Sequence, residues 1–265
     1  METLKYGKKM KSAIKLILIY FAMQVLGILL VSPLMLLYAH LMDVHDVHTL
    51  VPSLIAGMLM MGAYLYKKGH LTGDPLLWRV GQSPTYLWTL LAGASLIVLI
   101  EWLMSCLDFL PDWMEMAFDE IIASPWGILS ICLLGPVLEE MLFRGAVLKH
   151  LLGCYRPVTA ILLSALLFGL FHVNPAQVVA ATCSGLLLGW LYWRTGSLWP
   201  SILVHVVNNS FSVFLTRTHP DLEHLSELFS PLSYLLLVVV AALLLALSIW
   251  MLQRTVCHSR NTNLD

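Results

Sequence analysis

The chain has 265 residues, 59% of them hydrophobic and 12% charged, with a formal net charge of −1 and a mean hydropathy of +0.81. A soluble domain carries roughly twice that share of charge, so 15 Lys+Arg and 16 Asp+Glu are too few to cover a globule of 29.7 kDa. A soluble enzyme, a nucleic-acid-binding protein and a disordered chain are all poor readings of such a composition.

A helix crosses a bilayer core with about 20 mostly apolar residues, within a range of roughly 17–25. The chain offers eight such stretches, near 14–38, 50–66, 85–107, 122–151, 157–173, 175–193, 198–215 and 232–252. The expected fold is an all-α integral membrane protein, a bundle of about eight transmembrane helices in a single polytopic domain over residues 1–265. The connections are short, and no repeat or low-complexity linker interrupts them.

The first stretch follows Lys5, Lys8, Lys9, Lys11 and Lys15. It resembles a signal peptide in that order of charge and apolar run. It is about twice the usual length and lacks a small-x-small cleavage site, so an uncleaved span is expected. Asp43 and Asp46 follow it, and Lys67, Lys68 and Arg79 follow the second stretch. The third stretch contains Glu101 and leads into the acidic, aromatic segment from Asp108 through Asp112, Glu115 and Asp119 to Glu120, which reads as an interfacial outer loop. Hydration near that interface is the simplest expectation for Glu101.

The fourth stretch contains Gly135-Pro-Val-Leu-Glu-Glu-Met-Leu-Phe-Arg-Gly145 and is followed by Lys149 and Arg156. Residues four apart share a helix face, so Glu140 lies beneath Arg144 and an ion pair is expected. Glu139 is rotated by about 100° and is left to act, unless both carboxylates and the arginine form one structural charge cluster. The fifth stretch ends Phe168-Gly-Leu-Phe-His172, with His172 one turn beyond Phe168 and Gly169 permitting close helix approach.

The sixth stretch, followed by Arg194, carries Gly185-Leu-Leu-Leu-Gly189, a small-residue packing pattern. Its Thr182-Cys-Ser-Gly185 lacks the first glycine of the rhomboid G-x-S-G sequence, and no aspartyl-type G-x-G-D occurs. The seventh stretch places Ser201, His205 and Asn209 on one stripe, with Asn208 beside them. Either a cavity or an interhelical hydrogen-bond network would account for that stripe. Asp221, Glu223 and Glu227 come next, with Arg217 the one basic residue on that side, and the eighth stretch is followed by Arg254 and Arg260.

Every second connection is thus basic, which predicts a multi-pass protein of a bacterial-type cell membrane with both termini cytoplasmic. The five cysteines, Cys106, Cys132, Cys154, Cys183 and Cys257, contain no C-x-x-C pair and indicate neither a disulfide framework nor a thiolate metal site.

Ionisable residues within spans are rare and mark function. A carboxylate, two imidazoles and an amide in a dry bundle suit activation of water by a general base and stabilisation of an oxyanion by donors, which is amide hydrolysis without a covalent nucleophile. Two His and one Glu are also a zinc ligand set, although no H-E-x-x-H lies on one helix. The depths of Glu139, His172 and His205 along their helices allow them to meet only with tilt or stagger.

In this order, Glu139-Glu140-x-x-x-Arg144, Phe168-x-x-x-His172 and His205-x-x-x-Asn209 resemble the three motifs of the CPBP family, the CAAX prenyl endopeptidases and bacteriocin-processing or immunity (Abi) proteins. The resemblance covers a core of residues 120–215. It implies an intramembrane endopeptidase of glutamate type in which Glu139 activates water, His172 assists, and His205 with Asn209 forms the oxyanion site. Glu140, Arg144 and Phe168 would support them. It implies no obligatory cofactor, a zinc mechanism being the less favoured alternative, and partners limited to a peptide or protein substrate and the bilayer, without nucleic acid. The competing expectation is a non-catalytic immunity or scaffold protein that uses the same polar cluster structurally. A proton-coupled transporter is a third, and it lacks the paired broken helices or repeats such proteins carry.

Overall fold

The computed structural model describes residues 2–43 and 49–255, the side chains of residues 2–6 and 8 excepted. Asp46, Cys257 and Arg260 lie outside the described residues, as do the side chains of Lys5 and Lys8. The described chain is helical: α1 Glu2–Met42, α2 Leu50–Lys67, α3 Ser83–Ser105, α4 Glu115–Ile122, α5 Pro125–Leu152, α6 Pro157–Phe171, α7 Pro175–Thr195, α8 Trp199–Thr218 and α9 Pro231–Thr255, with a 3₁₀ turn at Leu225–Leu228.

Proline sets many of the starts. Pro84, Pro125, Pro157, Pro175, Pro200 and Pro231 each occupy one of the first two helical positions, where the absent N–H has no intrahelical partner to lose. α7 stops at Gly196, which takes the left-handed conformation (φ 73°) that glycine adopts at low steric cost.

All eight expected spans are helices, but six of them are long and apolar enough to cross a membrane: those within α1, α2, α3, α5, α7 and α9. α6 has 15 residues, about 22 Å of helix, and falls short of a full crossing. α8 has the length, but its polar stripe keeps it out of the set. A further difference lies in the acidic segment expected to be a loop, of which Glu115–Ile122 is helical.

The chain divides into two compact units. The first comprises residues 1–74 and 115–155 and thus α1, α2, α4 and α5. Here α1 and α2 pack closely because both lack side chains where they touch: a Cβ on Gly27 would lie 2.5 Å from the Ser53 carbonyl oxygen, and one on Gly57 2.5 Å from Gln24 Oε1. Lys149 Nζ at the end of α5 pairs with Asp74 Oδ2 at 2.8 Å. Nearby His70 has its pKa lowered by partial burial and by the Lys149 charge.

The second unit comprises residues 75–114 and 156–265. In it α3 packs against α9, α8 and α7, and α6 against α7. Ala92, Leu187, Leu188, Leu191, Val204 and Leu252 form its core, flanked by Trp88 and Trp190. α9 has only 17% of its apolar window buried, and it turns Leu235, Val239 and Leu243 outward, as a lipid-facing helix does.

Candidate functional site

In the first unit the expected site residues lie on α5, which is not a uniform α-helix. Pro136 has no N–H for the carbonyl four residues back and its ring crowds that carbonyl. The helix widens immediately before it into a π-helical turn at Ser130–Leu134, with Gly135 N–H donating to the Ser130 carbonyl five residues back. A second π-helical turn occupies Phe143–Leu148, where Lys149 N–H reaches the Arg144 carbonyl. Such turns are rare and concentrate at functional sites. Here they bracket the α-helical segment Gly135–Leu142 that carries both glutamates.

Glu140 and Arg144 form the pair that their spacing predicts, Nη1 to Oε1 at 2.6 Å, with neither side chain exposed to solvent. Glu139 is half-buried and interacts electrostatically with Arg144 as well. Rotation about the helix axis separates the two carboxylates in direction, yet an Arg side chain is long enough to feel both. The absent side chain at Gly135 leaves space on the Glu139 side, and a Cβ there would lie 3.8 Å from Glu139 Oε1.

One residue outside the expected set joins this group. Tyr20 of α1, 6% exposed, interacts electrostatically with Glu139. A phenol inside the apolar first span was legible in principle, but nothing in the sequence around Tyr20 names Glu139 as its neighbour.

In the second unit, Phe168 organises both histidines. Its ring meets His172 edge-on at 5.0 Å between centroids and His205 edge-on at 5.7 Å, so the second and third motifs share one aromatic wall. His172 Nδ1 lies 2.9 Å from the Phe168 carbonyl oxygen. A carbonyl only accepts, so Nδ1 carries the proton and a neutral His172 presents Nε2 as a base.

Gly169 and Gly185, read from the sequence as small residues that permit close helix packing, lie where α6 and α7 meet. A Cβ on Gly169 would stand 2.0 Å from Thr182 Oγ1, and one on Gly185 3.0 Å from Ala165 Cα. The Ser201–His205–Asn209 stripe resolves into a hydrogen-bonded arrangement at two of its positions. Ser201 Oγ donates to the Leu188 carbonyl at 2.9 Å, and Asn208 Nδ2 donates to Asn209 Oδ1 at 3.2 Å. His205 lies between them, 6% exposed.

The turn after His172 is irregular. Val173 has φ 61°, a left-handed conformation that crowds its branched Cβ and costs about 1–3 kcal/mol. Asn174, 1% exposed, follows it and opens α7 without capping it through its side chain. Its amide instead reaches the segment after α3: Nδ2 donates to Asp112 Oδ1 at 2.8 Å, and Oδ1 accepts from Trp113 N–H at 3.0 Å. Glu101 also departs from simple hydration. It is half-buried and interacts with His224 and Tyr234, while His224 Nε2 sits 2.6 Å from Asp108 Oδ1.

Among the described residues no three His, Cys, Asp or Glu side chains gather as a metal-ligand group, and Cys106, Cys132, Cys154 and Cys183 form no disulfide.

Comparison with known proteins bears on the same segment. Residues 121–211 match the family model described as type II CAAX prenyl endopeptidase Rce1-like. A 97-residue stretch is 32% identical to a Bacillus subtilis (strain 168) protein named "Putative membrane peptidase YdiL", covering 37% of this chain and 40% of that relative. The match therefore spans well under half of either chain. No solved structure matches significantly. The matched segment holds all seven motif residues from Glu139 to Asn209, and both matches support the CPBP resemblance that those motifs carry.

Proposed function

We propose that the protein is an intramembrane endopeptidase of glutamate type, acting on a peptide or a membrane-associated protein, CAAX-like tails included. One observation carries the reading: a segment that matches the type II CAAX endopeptidase model holds Glu139 beside a fully buried Glu140–Arg144 pair. A buried charge pair inside a membrane helix is expensive to maintain. A preorganised electrostatic environment for a neighbouring carboxylate is a return that accounts for it.

In this mechanism Glu139 takes a proton from water as the oxygen attacks the scissile carbonyl. His172 assists through Nε2, and His205 with Asn209 donates to the developing oxyanion. Collapse of the tetrahedral intermediate breaks the C–N bond. The proton passes to the leaving amine, and a carboxylate and an amine are the products. Tyr20 supports the reading by adding a polar partner on the Glu139 side of the first unit. The termini are assigned to the cytoplasm in the same proposal, from the placement of Lys and Arg.

Membrane and secreted peptides are compared between cells carrying the parent protein and Glu139→Gln. The variant is expected to accumulate at parental levels in the membrane and to lose processing by about 10²–10⁴-fold, as removal of a general base does. Undiminished processing overturns the mechanism. Unchanged peptide profiles in both strains, together with reduced abundance of the variant, identify the cluster as a structural network instead.

A further inference from the structure

We infer that Asp112 and Asn174 are positioning residues for His172, acting through the strained turn at Val173. This rests on the reading above, in which His172 assists hydrolysis.

The inference starts from a conflict at three consecutive residues. α6 ends at Phe171, and His172 N–H still donates to the Gly169 carbonyl at 3.0 Å. Its imidazole is turned back onto the same helix by the Nδ1–H bond to Phe168 O. α7 begins at Pro175, so the chain must reverse within His172, Val173 and Asn174. It does so with a valine in the left-handed region, where glycine would be the ordinary choice. Something outside the turn must hold it there.

The segment after α3 supplies the hold. Asn174 spends both ends of its amide on that segment, on Asp112 Oδ1 and on Trp113 N–H. Asp112 Oδ1 also accepts from Met114 N–H at 2.9 Å, which fixes the carboxylate in turn. Asn174 N–H closes the loop on the His172 carbonyl at 2.6 Å. The amide is almost wholly buried, with 1% of the residue exposed, so losing its partners would leave polar groups unsatisfied. The clamp thus forces the left-handed turn, and the turn fixes the direction in which His172 leaves the helix. A ring restrained at Nδ1 has its Nε2 aimed, and displacing a reacting group by an ångström costs about 10²-fold.

The experiment combines ¹⁵N-histidine spectroscopy of the full-length protein in detergent with kinetics on the substrate found in the Glu139→Gln comparison. In the parent protein His172 is expected as the Nδ1–H tautomer. Asn174→Ala and Asp112→Ala are expected to lose that signature and to lower kcat about 10- to 100-fold at nearly unchanged KM. Asp112→Asn retains an accepting oxygen and is expected to keep both tautomer and kcat. Val173→Gly removes the strain, so adding it to Asn174→Ala is expected to restore most of the kcat. Its presence also separates loss of positioning from loss of folding.

The clamp is overturned if Asn174→Ala and Asp112→Ala keep the tautomer and stay within twofold of the parental kcat while His172→Ala is inactive. If His172→Ala is itself active, the role of His172 fails instead. The tautomer measurement needs no substrate and decides the geometric claim alone.

Discussion

Arg144 shows how much one side chain can hold inside a membrane protein. It has no solvent exposure, bonds Glu140 at 2.6 Å and interacts with Glu139 as well. Arg144→Met leaves a buried carboxylate without its counter-charge, and a loss of about 3–5 kcal/mol is expected, measured by thermal unfolding in detergent. Glu140→Gln combined with Arg144→Met removes both charges, and most of that loss should return. If the double variant is as unstable as the single one, the pair is not the source of the stability. The Glu140–Arg144 pair was legible in the sequence because its partners are one helical turn apart. The Asp112–Asn174 bond was not, because its partners are 62 positions apart and nothing in either neighbourhood names the other. Glu139 illustrates an intermediate case: its direction follows from the helical period, but its interaction with Arg144 depends on the length of a flexible side chain.

At the scale of elements, apolar runs located the helices well and described their interiors poorly. Hydropathy averages over about 19 residues, and a π-helical turn adds a single residue to one turn, so the widenings on either side of Glu139 leave no trace in the average. Pro136 alone hinted at the first of them. Small residues were more informative. Gly169 and Gly185 indicated close helix packing without naming the partner, which proves to be α6 against α7, because only a missing side chain permits that separation. Gly169→Ala would put a Cβ 2.0 Å from Thr182 Oγ1 and 2.6 Å from the Val178 carbonyl oxygen. A loss of about 1–3 kcal/mol is expected from this overpacking. Thr182→Ala should recover part of it by removing the nearer atom, and the rest should persist because Val178 O belongs to the backbone. A Gly169→Ala protein with unaltered thermal stability would mean that the two helices separate without cost.

For the molecule as a whole, scarcity of charge identified the membrane, and the sign of each connection gave an orientation. That reasoning predicts a definite outcome for fusions made after the last helix. A fluorescent protein attached there should mature in the cytoplasm, and alkaline phosphatase attached at the same point should stay inactive. The reverse pattern would show that the basic connections face outward. Six of the eight apolar runs are helices long and apolar enough to cross a membrane, while α6 has less length and α8 carries polar residues along one stripe. The departures from a regular membrane helix thus gather in the segment that carries the motifs.

The shortness of α6 has a mechanical consequence. Fifteen residues measure about 22 Å, while an average hydrocarbon layer is about 30 Å thick. If the start of α6 is anchored at one face, the turn that follows His172 lies about 8 Å inside the other. Lipid deforms around such a mismatch at fractions of a kcal/mol per ångström, so the membrane next to that turn is drawn thin and water is brought nearer to it. In the proposed hydrolysis, acyl-chain length in the host membrane would thereby be a physical control on how readily water reaches His172, acting without any change in the protein's own contacts.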